Sequence, residues 1–493
     1  MKDLKQKAIR GGLAKICAQA ANFLVRLVSL MILARLLDPK DFGLVGMVTA
    51  VIGIFNVFKD FGLSAAAVQR KAVTEEQIST LFWINLVFGA SLGFVGLAIA
   101  PLVVRFYHEP RLFAVTAALA SGFLFNAAGV QHSALLERQM RFTTLSIIDI
   151  SSLLASTGVG VWMAMDGYGY WALVATAIIT PLSYTICVWV TAAWIPGKPQ
   201  RKTGVLSMLR FGGTVTLNGI VMYIASNLEK VLLGRFWGVD AIGTYGRAYQ
   251  LVNIPIDNLN SSAGGVAFAA LSRLQDDGPR FRSYFLKGYS LIISLTVPIT
   301  FASALFADDM ISVFLGPKWK TAASIFRLLA PTTLAFAILN PLGWLLSSLG
   351  LVGRGLKIAL VLGPLMIASY AIGLPYGPKG VALGYSGIMT ACVIPLMAWA
   401  VYGTVVSFRD ILLTISRPLL SGVVAATIAL NFQFLYVARL SPLPSLAIGT
   451  SLLFSAYLGM LLYIMGQKRF YIDLFRTFRG RSPVEEEVLV SAS

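Results

Sequence analysis

Long apolar runs dominate this chain and constrain its fold more than any other feature. Broken at charges, prolines and glycines, the 493-residue sequence contains fourteen such runs with short polar stretches between them. Each approaches or exceeds the ~20 mostly apolar residues that a transmembrane helix needs. They are too long for transmembrane strands and lack alternation with a period of two. The chain is 57% hydrophobic and 13% charged, whereas soluble domains carry about 25% charged residues. We therefore predict an all-α polytopic membrane protein with about 14 transmembrane helices.

The predicted spans cover nearly the whole chain. They lie near 13–36, 42–61, 78–104, 112–133, 145–165, 170–194, 208–236, 241–271, 284–306, 323–349, 355–374, 380–406, 412–437 and 443–466. The connections between them leave no room for a soluble catalytic domain. We therefore do not expect an enzyme.

Basic residues mark one side of the predicted spans. An even number of spans places both termini on the same side, and roughly 27 basic residues fall there against about 11 on the other. Both termini are therefore predicted to be cytoplasmic. The net charge of +18 is spread over thin loops rather than gathered on one surface. This distribution argues against nucleic acid as a partner.

Cysteine and histidine give no sign of a cofactor. Cys17, Cys187 and Cys392 all fall inside predicted spans, where they suit packing rather than a disulfide framework. His108 and His132 lie near span ends, and they show no spacing typical of metal ligands. We expect no metal and no cofactor.

One turn motif occurs twice in the sequence, with its two copies 200 residues apart. ARLLDPKDFGLVG at position 34 aligns without gaps with GRFWGVDAIGTYG at position 234, so that Arg35 matches Arg235 and Gly43 matches Gly243. The two copies follow the first and the seventh predicted spans. Six spans separate them, an even number, so both copies cross the membrane in the same direction, as in a parallel repeat. Chance similarity between two apolar helices is the alternative.

The repeat predicts two pseudo-symmetric lobes of six helices each. The first lobe takes residues 1–200, the second takes 201–406, a further helix pair takes 407–466, and a basic cytoplasmic tail takes 467–493. Two such lobes around a central axis suit alternating access, with the substrate site between them.

The tail carries a second pattern. QKRFYIDLFRTFRG places Phe470, Leu474 and Phe478 at helical spacing among basic residues. This arrangement is typical of an amphipathic helix that lies on anionic lipid. A basic flank that only anchors the last span is the alternative interpretation.

Polar residues inside spans are costly and usually face protein or water. Two spans carry polar residues spaced three and four apart, so that each set lies on one helical face. The set in the first span is Gln19, Asn22 and Arg26. The set in the eighth span is Gln250, Asn253 and Asp257.

The seventh span adds a further cation. The repeat aligns Arg26 with Ser226, and Lys230 lies one turn beyond Ser226 on the same face. The two cations are therefore offset by about 6 Å in depth. If these faces meet at the axis, they form an electropositive cavity. The predicted substrate-binding residues are Arg26, Lys230, Asn22, Gln19, Asn253 and Gln250. The predicted ion-coupling residues are Asp257 and Glu229, which could neutralise the cations or accept a proton.

Each of these assignments has a structural alternative. Lys230 lies about two turns from the end of its span, so its ammonium could snorkel to the interface. Arg26 could tie helices together through backbone carbonyls. Asp257 could be an interhelical hydrogen-bond partner.

Several motifs, in order, resemble one known family. ARLLDPKDFGLVGM, NLEKVLLGRFWG, IGTYGRAYQLVNIP and LSRLQDD are similar to the Wzx-type polysaccharide transport family. That family is part of the multidrug/oligosaccharidyl-lipid/polysaccharide (MOP) exporter superfamily, and the chain is most similar to its colanic-acid-exporter branch. The resemblance implies a two-lobe transporter of bacterial inner membranes. It implies a flippase that moves an undecaprenyl-pyrophosphate-linked oligosaccharide to the periplasmic leaflet, for exopolysaccharide or lipopolysaccharide synthesis.

The resemblance also implies a cationic central cavity, and Arg26 and Lys230 are the positions here that fit it. The family more often has Asp at the place of Glu229 and an uncharged residue at the place of Lys230, so this chain departs from the pattern there. Membrane lipids and the lipid-linked oligosaccharide are the implied partners. Contact with a polysaccharide polymerase complex stays open.

Two other functions stay open on the sequence. A membrane-embedded polysaccharide polymerase or ligase would share the composition. We would expect it to have a sizeable periplasmic loop with Arg, His or acidic groups, and here the outer loops are short. A cation-coupled drug exporter of the same superfamily would share the fold, but a basic cavity argues against cationic drugs.

Overall fold

The computed structural model describes residues 2–58, 74–199, 206–436, 440–468 and 471–472. Within these ranges the chain is helical and contains no β-strand. The α-helices are α1 (Lys2–Leu36), α2 (Pro39–Ile52), α3 (Phe55–Phe58), α4 (Glu75–Tyr107), α5 (Leu112–Arg138), α6 (Phe142–Met165), α7 (Tyr170–Ala192), α8 (Leu206–Ser272), α9 (Gly278–Leu305), α10 (Ala307–Phe314), α11 (Lys320–Ser348), α12 (Val352–Gly373), α13 (Gly377–Val401), α14 (Phe408–Tyr436) and α15 (Pro442–Gly459). Two short 3₁₀ helices and a π-helical turn lie at Pro317–Trp319, Leu374–Tyr376 and Met460–Ile464.

These helices confirm the predicted fold class. Ten segments of the described chain are long and apolar enough to cross a membrane, and one of them holds both α12 and α13. The second predicted span begins in α2 and α3, and its last residues lie outside the described ranges. The seventh and eighth predicted spans correspond to the two halves of α8. The helices thus agree with the predicted count of about 14 spans.

Helix α8 consists of two helical arms that meet at Gly238, between the seventh and the eighth predicted spans. At Gly238, φ is 81° and ψ is −167°, a backbone conformation that is essentially restricted to glycine. The bend divides α8 into a first arm, 206–237, and a second arm, 239–272. No described part of α8 is among the ten apolar segments.

Capping chemistry fixes where two helices begin. Before α4, Thr74 Oγ1 accepts a hydrogen bond from the Gln77 N–H at 3.3 Å, and Gln77 Oε1 accepts one from the Thr74 N–H at 3.1 Å. This reciprocal pair is a capping box. Before α2, Pro39 starts the helix and Asp41 Oδ2 accepts a hydrogen bond from the Asp38 N–H at 3.0 Å. The first copy of the repeated turn is therefore held by its own side chains.

The chain forms two compact units. The first unit consists of Met1–Arg247, Leu315–Trp319 and Leu374–Pro378. The second unit consists of Ala248–Phe314, Lys320–Gly373 and Lys379–Ser493. The division falls inside the second arm of α8. The predicted lobe boundary at residue 200 and the separate helix pair at 407–466 stay predictions.

Each unit has its own apolar core. In the first unit, Leu44 and Met47 of α2 are buried in one cluster with Phe123 of α5 and Val174 of α7. In the second unit, Tyr289 of α9 belongs to a buried cluster that also includes residues of α11 and α14. The Tyr289 hydroxyl donates a hydrogen bond to the Ile338 carbonyl at 3.2 Å. Each unit therefore buries apolar surface by itself.

Cysteine and histidine have packing roles in the described chain. Cys187 is a half-buried free thiol and Cys392 a buried one, while the side chain of Cys17 lies outside the described residues. His132 is buried, its Nε2 lies 3.1 Å from the Trp194 carbonyl oxygen, and its ring stacks on Trp189 at 4.3 Å. Among the described residues, no group of three or more His, Cys, Asp or Glu side chains could hold a metal ion.

The described part of the tail packs within the second unit. The Tyr471 hydroxyl forms a hydrogen bond with the Ser294 hydroxyl of α9. Phe470, Leu474 and Phe478, which carry the predicted interfacial helix, lie outside the described residues.

Candidate functional site

The two copies of the repeated turn pack directly against each other inside the first unit. A β-carbon built on Gly43 would collide with the Val239 carbonyl oxygen, and one built on Gly243 would collide with the Pro39 carbonyl oxygen. Pro39 and Val239 are themselves equivalent positions of the repeat. The contact is therefore reciprocal, as expected for two copies related by a local two-fold axis.

Side chains add polar contacts around this turn pair. Lys40 and Asp240, also equivalent in the repeat, lie 3.8 Å apart between Nζ and Oδ2. The Trp319 Nε1–H donates a hydrogen bond to the Ala34 carbonyl at 2.8 Å. The Trp237 Nε1–H donates one to the Leu374 carbonyl at 2.7 Å. Both 3₁₀ helices are thus tied to the repeated turns.

The first predicted polar stripe lies on an accessible face of α1. Gln19 and Arg26 are exposed and Asn22 is half-buried. Asn22 Oδ1 is itself buried and has no hydrogen-bond partner among the described residues. Asp149 of α6 lies within electrostatic reach of Arg26. A cation far from the ends of a span is costly in lipid and normally faces protein or a water-filled cavity. The exposure of Arg26 therefore favours the cavity.

The second predicted stripe is also accessible. Gln250 and Asp257 are exposed on the second arm of α8, and Asn253 is half-buried. Asn260 would continue the stripe, but its side chain lies outside the described residues. Both stripes therefore present polar groups at the surface of their own units, in contrast to the fully buried Gln131 of α5.

Lys230 is held by a chain of hydrogen bonds along the first arm of α8. Its Nζ–H donates to Asn227 Oδ1 at 2.8 Å, and Asn227 Nδ2–H donates to the Tyr223 carbonyl at 3.0 Å. The Tyr223 hydroxyl donates to the Thr49 carbonyl of α2 at 3.0 Å. The Lys230 side chain points back toward the start of its helix. Snorkelling to the nearer end of the span would require the opposite direction.

Glu229 differs from the other predicted residues because it is inaccessible. The residue is 1% exposed, and neither carboxyl oxygen has a hydrogen-bond partner among the described residues. Lys230 and Tyr223 lie within its electrostatic reach. A buried carboxylate without a partner is unfavourable, and a proton or a cation relieves that cost. Glu229 therefore suits ion coupling better than direct contact with a substrate.

Sequence reasoning missed one charged residue of this region, Arg247. Its guanidinium carbon lies 4.6 Å from the centre of the Phe42 ring. Arg247 precedes Gln250 by three residues, the spacing that defines the second stripe. That spacing is the signal that would have identified it.

The fold places the chain in a class of membrane proteins. It matches the structure of the lipid II flippase MurJ in an inward closed conformation with a TM-score of 0.72, covering 95% of this chain and 100% of that chain at 14% identity. It also matches an inward-facing multidrug resistance MATE family transporter of the MOP superfamily with a TM-score of 0.63, covering 79% of this chain and 97% of that chain at 12% identity. At these identities the likeness concerns the fold alone. The chain is a multi-pass inner-membrane protein whose fold is that of these two solved structures.

The sequence also places the chain in a family. The family model described as "Polysaccharide biosynthesis protein" matches residues 32–324, which is more than half of the chain. The chain belongs to this family.

Named relatives agree with this membership. The lipopolysaccharide biosynthesis protein WzxC of Escherichia coli (strain K12) is 26% identical over 390 residues, which cover 78% of each chain. The teichuronic acid biosynthesis protein TuaB of Bacillus subtilis (strain 168) is 30% identical over 300 residues, covering 60% of this chain and 62% of that protein. The succinoglycan biosynthesis transport protein ExoT of Rhizobium meliloti (strain 1021) is 22% identical over 417 residues, covering 84% of each chain.

Proposed function

We propose that this chain is a flippase that moves an undecaprenyl-pyrophosphate-linked oligosaccharide repeat unit across the inner membrane for polysaccharide synthesis. The carrying observation is the accessible polar stripe of α1, with Arg26 far from the ends of its span, in a chain of this family and fold. WzxC, TuaB and ExoT act in the synthesis or transport of lipopolysaccharide, teichuronic acid and succinoglycan, respectively.

The physical problem is to carry a polar head group through hydrocarbon. Each unsatisfied polar group in lipid costs several kcal/mol, and a pyrophosphate adds charge. Amide and cationic side chains such as Asn22 and Arg26 replace water around the head group. The prenyl chain stays in the bilayer throughout. The step requires no covalent chemistry, so the chain acts as a transporter rather than an enzyme.

In the proposed cycle the site opens to one side of the membrane at a time. The turn pair formed by Gly43 and Gly243 lies at the ends of its helices that face away from the N-terminus of α1. With both termini cytoplasmic, as the basic loops favour, this is the periplasmic end. We propose that the contact between the two turns closes that end and separates when the oligosaccharide is released.

Energy for the cycle is proposed to enter through the two acids. Asp257 is exposed on the second stripe, whereas Glu229 is buried without a hydrogen-bond partner in the described chain. Each can change charge by taking up a proton or a cation. The released oligosaccharide is the substrate of a polymerase on the periplasmic side, and a complex with that enzyme is part of the proposal.

The proposed function is tested by the sidedness of the lipid-linked oligosaccharide. Cells depleted of this chain are complemented with the natural sequence, with Arg26→Ala or with Arg105→Ala. The sugar of the lipid-linked oligosaccharide is labelled, and the label that is accessible from the periplasmic face is measured. Arg105 is the matched control, because it is an exposed arginine in the last turn of α4, outside both stripes. We expect Arg26→Ala to leave the oligosaccharide on the cytoplasmic leaflet and Arg105→Ala to restore transport.

The same assay separates the rival functions. If single repeat units reach the periplasmic face of depleted cells but are never lengthened, the chain acts in polymerisation or ligation instead. If depletion changes neither sidedness nor length but sensitises the cells to cationic drugs, the chain is a drug exporter.

A further inference from the structure

Two cations flank the bend of α8 at nearly equal distances. Lys230 lies eight residues before Gly238 and Arg247 lies nine residues after it. At about 1.5 Å per helical residue, both lie ~12–14 Å along their arms from the bend. Lys230 and Arg247 are also within electrostatic reach of each other. The two arms therefore bring two positive charges together at similar depth inside the first unit.

The repeat supplies an internal comparison for these positions. Leu30 and Met47 occupy the places of Lys230 and Arg247 in the first copy, and they are 6% and 1% exposed. Met47 lies in one buried cluster with Ile242, and Ile242 is the equivalent of Phe42. Arg247 in turn packs on Phe42. The same packing place therefore holds an apolar side chain in one copy and a guanidinium in the other.

Comparing the two copies shows whether packing alone requires a charged side chain at these positions. Apolar side chains suffice at these places in the first copy, so packing alone does not require charge in the second. Placing a cation inside a membrane protein is costly and is typical of a functional residue. The pair at Lys230 and Arg247 therefore calls for a ligand of opposite charge.

The guanidinium of Arg247 has unused hydrogen-bonding capacity. Its Nε is buried and has no acceptor in the described part of the chain. Arg247 takes part in none of the ion pairs of the described residues. Arginine has five N–H donors in a planar fork that matches the oxygens of a phosphate. Phe42 holds the group through its ring face, and the residue is only half-buried.

The acid beside these cations does not satisfy them by hydrogen bonding. Glu229 has no hydrogen-bond partner in the described chain, and the Lys230 ammonium donates to Asn227 instead. One carboxylate also leaves a net positive charge on the three groups. An oxyanion that carries more than one negative charge would complement both cations.

We infer that Arg247 and Lys230 together bind the pyrophosphate of the lipid-linked substrate, Arg247 through its planar fork and Lys230 as a point charge. Glu229 is their counterion while the site is empty. This inference rests on the proposed function and deepens it. It adds Arg247 to the substrate-binding residues and assigns the pyrophosphate, rather than the sugar, to this pair.

The test is equilibrium binding to the purified full-length protein in nanodiscs of neutral lipid. The probes are a polyprenyl pyrophosphate, the corresponding polyprenol, inorganic pyrophosphate and phosphatidylglycerol. The variants Arg247→Met and Lys230→Leu introduce the side chains of the first copy, which that packing place accepts. Arg235→Met is the matched control. Arg235 lies in the same helix as Arg247 and also packs on a phenylalanine ring, that of Phe106.

We expect Arg247→Met and Lys230→Leu each to weaken binding of the polyprenyl pyrophosphate by roughly 10- to 100-fold. Arg247→Lys should recover part of the loss, because lysine keeps the charge without the fork. Arg235→Met should bind as the natural sequence does. Polyprenol binding should be weak and equal in all variants, and inorganic pyrophosphate should compete whereas phosphatidylglycerol should not.

Several results would overturn the inference. Unchanged pyrophosphate binding by a folded Arg247→Met protein would remove Arg247 from the site. Equal losses for the polyprenol and its pyrophosphate would show an effect through packing. Competition by phosphatidylglycerol as strong as that by pyrophosphate would assign the pair to ordinary lipid head groups. If Arg247→Met does not fold, Arg247→Lys carries the test. If the natural protein binds none of the prenyl probes, the proposed function itself fails.

Discussion

Gly43 and Gly243 hold equivalent places in the two copies of the repeat, and each lies against the other copy's backbone with no room for a β-carbon. The obstacle in each case is a carbonyl oxygen, which cannot turn away as a side chain can. Lys40 and Asp240 form an ion pair beside them at 3.8 Å. The two turns therefore approach as closely as their backbones allow.

The first prediction concerns this close approach. Gly43→Ala should destabilise the protein by about 1–3 kcal/mol, because the added methyl group forces the two turns apart. Gly46→Ala is the matched control in the same helix, since a β-carbon there would make an ordinary contact of 3.7 Å with Ile242. Thermal unfolding of both variants in detergent measures the difference. Equal unfolding temperatures would show that the turns are loosely packed.

The second prediction concerns movement of the turns. With the native Cys17, Cys187 and Cys392 replaced by serine, Lys40→Cys and Asp240→Cys can be joined by a short bifunctional thiol reagent. If the turns must separate in the cycle, cross-linking should stop transport, and a reagent with a reducible bridge should allow recovery. The two single-cysteine variants, treated in the same way, are the controls. Full transport by the cross-linked protein would contradict the proposed opening at this end.

The third prediction concerns the 3₁₀ helix that contains Trp319. Its indole is fully buried and donates to the Ala34 carbonyl, which is buried as well. Trp319→Phe should therefore cost about 1–3 kcal/mol, because the carbonyl loses its donor in a place that water does not reach. Trp237→Phe removes the same kind of bond from a 48% exposed side chain, and it should cost less. Unfolding midpoints that fall equally would show that burial does not decide the effect.

The spanning helices could be predicted from sequence because hydrocarbon thickness sets a minimum length for each apolar run. The break between the two arms of α8 could also be predicted, because the spans 208–236 and 241–271 lie on either side of Gly238. The hydropathy does not report the backbone conformation of Gly238, by which the chain turns without a longer loop. The repeat could be recognised in the sequence. The reciprocal contact between its two copies could not, because spacing along the chain does not report how closely two backbones approach.

The candidate site was predictable to a smaller extent. Helical spacing identified the two stripes, and the structure places Arg26 and Asp257 at the surface of their units. Spacing gave no means of separating Glu229, which is buried, from its neighbour Lys230, which reaches Asn227. Arg247 fitted the spacing, but its importance became apparent only when its place was compared with the buried Met47.

The fourth prediction concerns the proposed ion coupling. Glu229→Gln and Asp257→Asn keep the shape of each side chain and remove its ability to change charge. Glu229→Gln should lower stability, because it removes the negative charge that offsets the cation of Lys230 beside it. Both variants should make transport less dependent on an imposed proton or sodium gradient, and the double variant should remove the dependence.

Proteoliposomes with and without such a gradient measure this effect as the ratio of the two transport rates. Asp166→Asn is the control, because Asp166 is an exposed acid at the end of α6, outside both stripes. The natural protein and this control should give a ratio above one, and the double variant a ratio of one. If the double variant keeps the full ratio, neither acid couples transport to an ion, and Glu229 is left with the role of counterion to Lys230 and Arg247.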